Sequence, residues 1–478
     1  MRDDPSPAAD PRRVDAELLR VGLILQLGAL APLLDTTIVS VAIPQLAEAF
    51  SARVSEIQLV NTGYLLAFAM VVPLVGWAIE RYGARTVWLV SLLLFLAGSV
   101  LCGAAWSLPS LVVARVVQGA AGGMVFPVMQ TILARVAGEQ RLGRAMAILA
   151  VPGQLGPIIG PTLGGVLVAS LGWRWIFFVN VPICLIAVAA SRRGLAPDTR
   201  DPARRLDVTG LALLVPAMAV LVYGLTQTEA GGRWPGVTSV VCVGLGLILL
   251  LLFVRHALRR PAPLVDVRLL RVRSLASAST VVFCTQAALF GAMFVLPLFY
   301  AQAYRLDTLS IGLLLAPQGL GAMLAMPLVG VLVDRIGARP LVLAGIVLAA
   351  LGTLPFALAG PDADRLSLAV GLGVRGLGLG AAVIPVIAAT YWGVPAGDYP
   401  GATTVFNIVQ RLGGSFGVAV LAAVLQWQLG AGRGGGVPEA EAFANTFWWT
   451  IGFTVLTLLP AVFVPARRKR ARLPARTA

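Results

Sequence analysis

Apolar runs of about 20 residues recur along the whole chain, and each is long enough to cross a hydrocarbon layer as a helix. Short polar segments separate them, rich in arginine, glycine and proline. The runs predict fourteen helical spans: 21–43, 57–79, 86–106, 110–133, 143–168, 173–191, 207–227, 235–255, 274–303, 308–333, 340–360, 364–390, 402–429 and 442–466. The expected fold class is therefore an all-α polytopic membrane protein. An even number of spans puts both termini on one side.

The pattern repeats internally. GWAIERYGAR at 76–85 returns as GVLVDRIGAR at 330–339, and GMVFPVMQT at 123–131 is echoed by AAVIPVIAAT at 381–390. The offsets are 254 and about 258 residues. Two six-helix halves, 1–191 and 274–478, are expected from a duplication. Two extra helices, spans 7 and 8, then lie between them within 192–273 with basic flanking loops. Parallel halves with a substrate site between them are a transporter architecture.

Composition agrees. The 478 residues are 58% hydrophobic and only 12% charged, far too poor in charge for a soluble domain of this size. The net charge of +15 raises the question of nucleic acid. The basic residues lie mostly between spans, and no basic face is interleaved with aromatics, so no nucleic-acid partner is expected. Of the 37 basic residues, 28 fall on the side that holds both tails and six on the other. Both termini are therefore expected in the cytoplasm. The remaining three, Arg115, Arg375 and Arg411, lie inside spans. The first apolar run is too long for the core of a cleavable signal. The four cysteines all sit in apolar runs and read as free packing residues. The single histidine, His256, has no companions for a metal site. GLGVRG at 371–376 lacks the strand and acid of a dinucleotide site, and a P-loop needs a lysine that only the tail, at Lys469, contains. No cofactor is expected, and an ion gradient is left as the energy source.

One acid breaks the apolar pattern. Asp35 is the only one of 22 acidic residues inside a long apolar run. An ionisable group at membrane depth is a functional hypothesis by default, and reversible protonation is the chemistry a lone carboxyl group offers. The alternative is a structural acid capping a polar turn with Thr36, Thr37 and Ser40. Depth arithmetic finds Asp35 a partner. It lies roughly 12 Å from the outer end of the first span, and Arg115 roughly 7–8 Å from the outer start of the fourth, at 1.5 Å per residue. The two are expected at similar depth in one bundle, able to form an ion pair that a state change would break. Gln26, Asn61, Gln118, Arg375 and Arg411 are the further polar candidates to line a substrate path.

Four stretches resemble the fourteen-helix drug:proton antiporter family of the major facilitator superfamily, over nearly the whole chain. LLDTTIVSVAIP at 33–44 is similar to its first-helix signature, with Asp35 at the acidic position. GWAIERYGAR is similar to its loop 2–3 motif, with Glu80 where the family has aspartate, a residue that Asp334 keeps in the second copy. LVVARVVQGAAGG at 111–123 resembles its fourth-helix motif, and GQLGPIIGPTLGGVL at 153–167 its fifth-helix antiporter motif. The resemblance implies proton-coupled export of small amphipathic compounds such as drugs across a bacterial cytoplasmic membrane, by a monomer. It also implies latches in which Glu80 faces Arg81 and Arg85, and Asp334 faces Arg335 and Arg339. The residues read on their own show a smooth fifth-span face at Gly156, Gly160 and Gly164, fit for close helix approach, with Gly153 one turn before it and Pro157 and Pro161 on an adjacent stripe able to bend it. WRWIFFVNVPI at 173–183 follows as in the family. Leu59 after Gln58 departs from the family's frequent tryptophan, and NIVQRLGGSFGVAVL at 407–421 lacks the extra acids of some drug exporters.

A dedicated exporter of one endogenous metabolite remains an alternative. A transporter-like sensor fits less well, because the tails leave little room for a signalling domain. The orientation is testable. Single cysteines placed at Arg200 and at Thr228, with native cysteines removed, should label from the inside and the outside of intact cells respectively. Outside labelling at position 200 would invert the topology.

Overall fold

A computed structural model of the chain describes residues 11–138, 140–150, 156–197, 200–230, 236–306, 308–360, 364–435 and 439–466. Among them are helices and turns, and no strand. The first helices are α1 (Pro11–Val41), α2 (Ile43–Ala49), α3 (Val54–Tyr82), α4 (Ala84–Gly103), α5 (Leu108–Ala137), α6 (Leu142–Ala150), α7 (Gly156–Leu171), α8 (Trp175–Phe178) and α9 (Asn180–Gly194). Then come α10 (Val208–Ala230), α11 (Val237–Arg259), α12 (Arg273–Leu298), α13 (Thr308–Ile336), α14 (Ala338–Ala357) and α15 (Arg365–Ala389). The last are α16 (Tyr399–Gly435), α17 (Glu439–Leu456) and α18 (Leu458–Ala461).

Thirteen helical stretches among the described residues are long and apolar enough to cross a membrane. The expected fifth span corresponds to α6 and α7, of which Thr162–Leu171 is a shorter apolar helix. The fourteen-helix, all-α reading therefore stands. The ends differ where local chemistry acts. α1 starts ten residues before the apolar run, because a helix does not need to stop where the hydrocarbon does. It breaks at Ala42, since Pro44 has no N–H for the carbonyl four residues back. α11 shows what surrounds these helices. Val240, Val241, Leu245, Ile248, Leu251 and Leu252 are all exposed along it, an apolar surface of the kind that faces lipid.

The chain divides into two compact units, residues 1–268 with 396–412, and residues 269–395 with 413–478. Inside the first, α5 packs against α3 and α4. Gly119 and Gly123 of α5 face the main-chain carbonyls of Tyr64 and Phe68 of α3, where any side chain would collide with backbone. Inside the second, Gly376 and Gly380 of α15 face the carbonyls of Gln318 and Ala322 of α13 in the same way. The sequence offsets are 254 on one helix and 257 on the other, so the repeat seen in the motifs is also a repeat of backbone contacts. Gly83 and Gly337, in the two copies of the repeated motif, both hold φ at 90°, the left-handed region a glycine adopts without strain.

The inserted helices α10 and α11 belong to the first unit. Leu214, Met218 and Phe253 bury against Val72 of α3 together with Val405 and Ile408 of α16. A polar knot closes their common end. Asp207, just before α10, accepts the N–H groups of Gly210 and Leu264 at 3.1 Å each, and His256 Nε2 lies 3.0 Å from it. Burial alone would raise the Asp207 carboxyl. The hydrogen bonds outweigh it and hold the group below the ordinary carboxylate range.

The expected seam on the fifth span is present where it is described. Gly160 and Gly164 of α7 lie against Thr37 and Ile38 of α1. Gly156, Pro157 and Pro161 lie in the same helix, and Gly153 is outside the described residues. Close approach at α3 and α5 gives a direct test. Gly119→Val should cost about 1–3 kcal/mol by forcing the helices apart. Gly165→Val should be far milder, because a side chain there meets nothing within 4 Å. Thermal unfolding of the two variants in detergent should separate them, and equal midpoints would contradict the packing.

Candidate functional site

Asp35 and Arg115 meet. Arg115 Nη1 donates to Asp35 Oδ2 at 2.5 Å, and both side chains are 0% exposed. The helices explain the meeting. α1 carries Asp35 six residues before its end at Val41, α5 carries Arg115 two turns after Ser107 caps its start, and the two pack in one unit. Gln118, one turn on from Arg115, accepts from its Nη1 at 2.8 Å and donates to Asp35 Oδ1 at 3.0 Å and to Ser99 Oγ at 2.7 Å. Asn180, at the start of α9, donates towards the same Asp35 oxygen at 3.4 Å and towards Ser99 at 3.3 Å. Arg115 Nε reaches the Val60 carbonyl of α3 at 3.4 Å. Its guanidinium lies 4.0 Å from the Tyr64 ring centroid and 5.7 Å from that of Phe177.

This is a carboxylate whose donors come from two other helices, shielded by aromatic faces that themselves favour a cation. Three buried polar atoms at the cluster lack a partner: Arg115 Nη2, Asn180 Oδ1 and the Tyr64 hydroxyl. The cluster therefore has hydrogen-bonding capacity to spare for water or another small polar group.

The remaining candidates scatter. Gln26 donates to the Ile148 and Leu149 carbonyls of α6 at 2.5 and 2.9 Å, which makes it a tie between α1 and α6. Asn61 is half-buried on α3. Gln118 belongs to the Asp35 cluster, as described. Arg375 of α15, 2% exposed, donates to Gln318 Oε1 and, at 3.2 Å, to the Ala288 carbonyl of α12. Arg411 of α16 stacks on Phe68 of α3 with its guanidinium carbon 4.5 Å from the ring centroid. One turn earlier, Asn407 donates to Gln130 Oε1 of α5 at 2.9 Å.

The first charge cluster needs a correction. Glu80 does not face Arg81 or Arg85. It pairs with Arg204 Nε at 2.8 Å, from the connector before α10. Neighbouring side chains on a helix point about 100° apart, so Arg81 cannot turn onto Glu80. Arg81 donates to the Arg204 carbonyl at 3.3 Å, and Arg85, beyond the Gly83 turn, to the Arg192 carbonyl at 2.6 Å. In the second copy, Arg339 Nε donates to the Val464 carbonyl at 2.8 Å, Asp334 is half-buried and Arg335 is exposed. A crevice of about 480 Å³ opens between α3, α5 and α10, lined only by apolar residues such as Met70, Leu74, Ala120 and Pro216.

Sequence reasoning missed Asn180, Ser99, Tyr64 and Arg204. Asn180 carried a signal, as an amide opening an apolar run. Arg204 carried none beyond its positive charge.

A buried acid–arginine pair inside a bundle of membrane-spanning helices is the mark of a functional site in a membrane protein by default. The chain belongs to the Major Facilitator Superfamily, whose family model matches residues 27–418. It is 35% identical to the multidrug resistance protein B homolog of Mycobacterium tuberculosis, over 97% of this chain and 93% of that protein. It is 31% identical to the putative multidrug resistance protein MdtD of Escherichia coli, over 70% of each. Among solved structures it resembles the human organic anion transporter MFSD10 (TM-score 0.64, 18% identity, 95% of this chain and 100% of that one). It also resembles the proton:xylose symporter XylE (TM-score 0.63, 15% identity, 94% and 96%). These two likenesses establish the fold alone.

The pair predicts a non-additive stability pattern. Arg115→Gln leaves the Asp35 carboxylate buried without its cation and should cost about 3–5 kcal/mol. Adding Asp35→Asn should recover most of that, because the double variant buries no charge. Thermal midpoints at pH 8 would show it, and a double variant no more stable than Arg115→Gln would mean the two residues are not coupled.

Proposed function

We propose that the chain is a proton-coupled antiporter that exports small amphipathic compounds across a bacterial cytoplasmic membrane, working as a monomer by alternating access with both termini in the cytoplasm. One observation carries the reading. Asp35 is wholly withdrawn from solvent, and its charge is answered by side chains on α5 and α9. The protonation state of this acid is therefore tied to how α1, α5 and α9 pack. A proton arriving at Asp35 removes the reason for Arg115 and Gln118 to hold it, and a rearrangement that separates Arg115 from Asp35 makes the acid ready to take a proton. Either order couples proton movement to helix movement. The membrane potential adds about 2.3 kcal/mol per charge per 100 mV to drive the inward proton.

The export reading draws on the multidrug resistance names of the relatives and on the apolar crevice, which suits the apolar part of an amphipathic compound. The extra helix α10, which forms one wall of that crevice, and the Glu80–Arg204 pair at the end of α3 would move with it.

Inverted membrane vesicles, a compound panel and a pH-sensitive dye give the test. The wild-type protein should release protons from acidified vesicles as compound enters. Asp35→Asn, at unchanged protein level, should lose proton-coupled movement, while Arg115→Ala should mainly shift its pH dependence. Wild-type rates from Asp35→Asn under an imposed gradient would remove Asp35 from the mechanism.

A further inference from the structure

Two arginines inside the spans are left over once Asp35 has taken Arg115, and they are held differently. Arg375 spends its guanidinium on the Gln318 side chain and the Ala288 carbonyl. Among the described residues Arg411 has no such acceptors. Its described interaction is the Phe68 ring at 4.5 Å, and its Nε is buried with no hydrogen-bond partner. A cation at membrane depth without a carboxylate and a buried N–H without an acceptor are separate costs, and the third feature, an aromatic ring on one face of the guanidinium, is a favourable contact. An anionic group in the guanidinium plane relieves the first two and leaves the third contact in place, since the Phe68 ring covers only a face.

The surroundings define the class further. Thr403, Asn407 and Arg411 recur every four residues on α16 and form one stripe. Thr403 meets Thr131, and Asn407 meets Gln130, so the first two positions are satisfied within the protein and only the third is open. The Phe68 ring lies 5.9 Å from that of Tyr64, so the two make an aromatic wall with Arg115 on Tyr64 and Arg411 on Phe68. Among the described residues no carboxylate pairs with Arg411.

We infer that Arg411 is the recognition group for the substrate, and that the exported compound carries one acidic group, such as a carboxylate or sulfonate, on an apolar or aromatic body. The inference rests on the exporter reading above and names the chemistry of its substrate. It has an energetic consequence. Export of a monoanion in exchange for one proton moves two charges in the same electrical sense, so an inside-negative potential drives both legs of the cycle.

Binding tests it apart from coupling. Full-length protein in lipid nanodiscs, with empty nanodiscs as blank, is titrated calorimetrically with 1-naphthoate, naphthalene-1-sulfonate and octanoate, and with the uncharged amides of each. Wild type should bind the acids tighter than the amides by roughly tenfold or more, the difference one charge-assisted contact makes. Arg411→Gln should erase that preference, and the charge-keeping Arg411→Lys should retain part of it. Retention in Arg411→Lys also rules out a merely structural loss. No acid preference in the wild-type protein, including no binding of either member of any pair, would overturn the inference. So would an unchanged preference in Arg411→Gln. These readings need no proton gradient. A failure of proton coupling in the vesicles would sink the antiport reading and leave the acid preference to stand or fall by itself.

Discussion

A charge placed in hydrocarbon has to be answered inside the protein, and the first unit is organised around the answer given to Asp35. The acid sits on α1, its cation and amide on α5, a second amide on α9 and a relaying hydroxyl on α4. Four helices are therefore fixed in register by one carboxylate. The aromatic faces of Tyr64 and Phe177 complete the shield. Such a pair is weak evidence for stability, because apolar residues of similar volume commonly do as well. Under the antiport reading proposed above, the spare hydrogen-bonding capacity of the site suits a group that changes charge. Losing one proton's worth of charge here changes what four helices need from one another.

The crossing of the bilayer was plain in the sequence, because apolar length measures it directly. So was the pairing of Asp35 with Arg115. On straight helices, distance along the chain converts to depth at 1.5 Å per residue, and two groups at one depth in one bundle can find each other. What depth cannot supply is the direction in which a side chain points around its helix. Apolar residues surround these helices on all sides, so the pattern carries no azimuth. Asn180, Ser99 and Tyr64 were hidden for that reason, and so was the bond that Gln118, read only as a polar candidate for a substrate path, makes to the acid. Glu80 was hidden for another. Its partner Arg204 lies 124 residues away in a connector, where it looked like one more topogenic arginine.

The inserted pair of helices illustrates the same division. Their apolar length was legible, and the exposed face of α11 is what lipid contact demands. Their attachment was not. Asp207 and His256 are separated by a whole helical hairpin, and only the fold brings them to 3.0 Å. Arg204 then joins this end to α3 by pairing with Glu80 and donating to the Pro263 carbonyl at 3.2 Å. A short polar chain thus ties both connectors of the hairpin to the motif at the end of α3. That motif is joined to α10 and α11 through ionic and hydrogen-bonded contacts, not through apolar packing alone.

The duplication kept the backbone and released the chemistry. Gly98 faces the Gln118 main chain in the first unit, and Gly352 faces the Arg375 main chain in the second, at offsets of 254 and 257 that match the other glycine contacts. Arg375 is therefore the counterpart of Gln118, not of Arg115. Gln118 holds the Asp35 carboxylate, whereas Arg375 holds the main-chain carbonyl of Ala288, 253 positions beyond Asp35. The second unit has the architecture of the acid site with a carbonyl in place of the acid. A carbonyl accepts a hydrogen bond but takes no proton at neutral pH, so this copy can fix helices without titrating. Close glycine contacts constrain backbones and leave side-chain identity free, which is why one scaffold supports a buried carboxylate cluster in one unit and a carbonyl-bound arginine in the other.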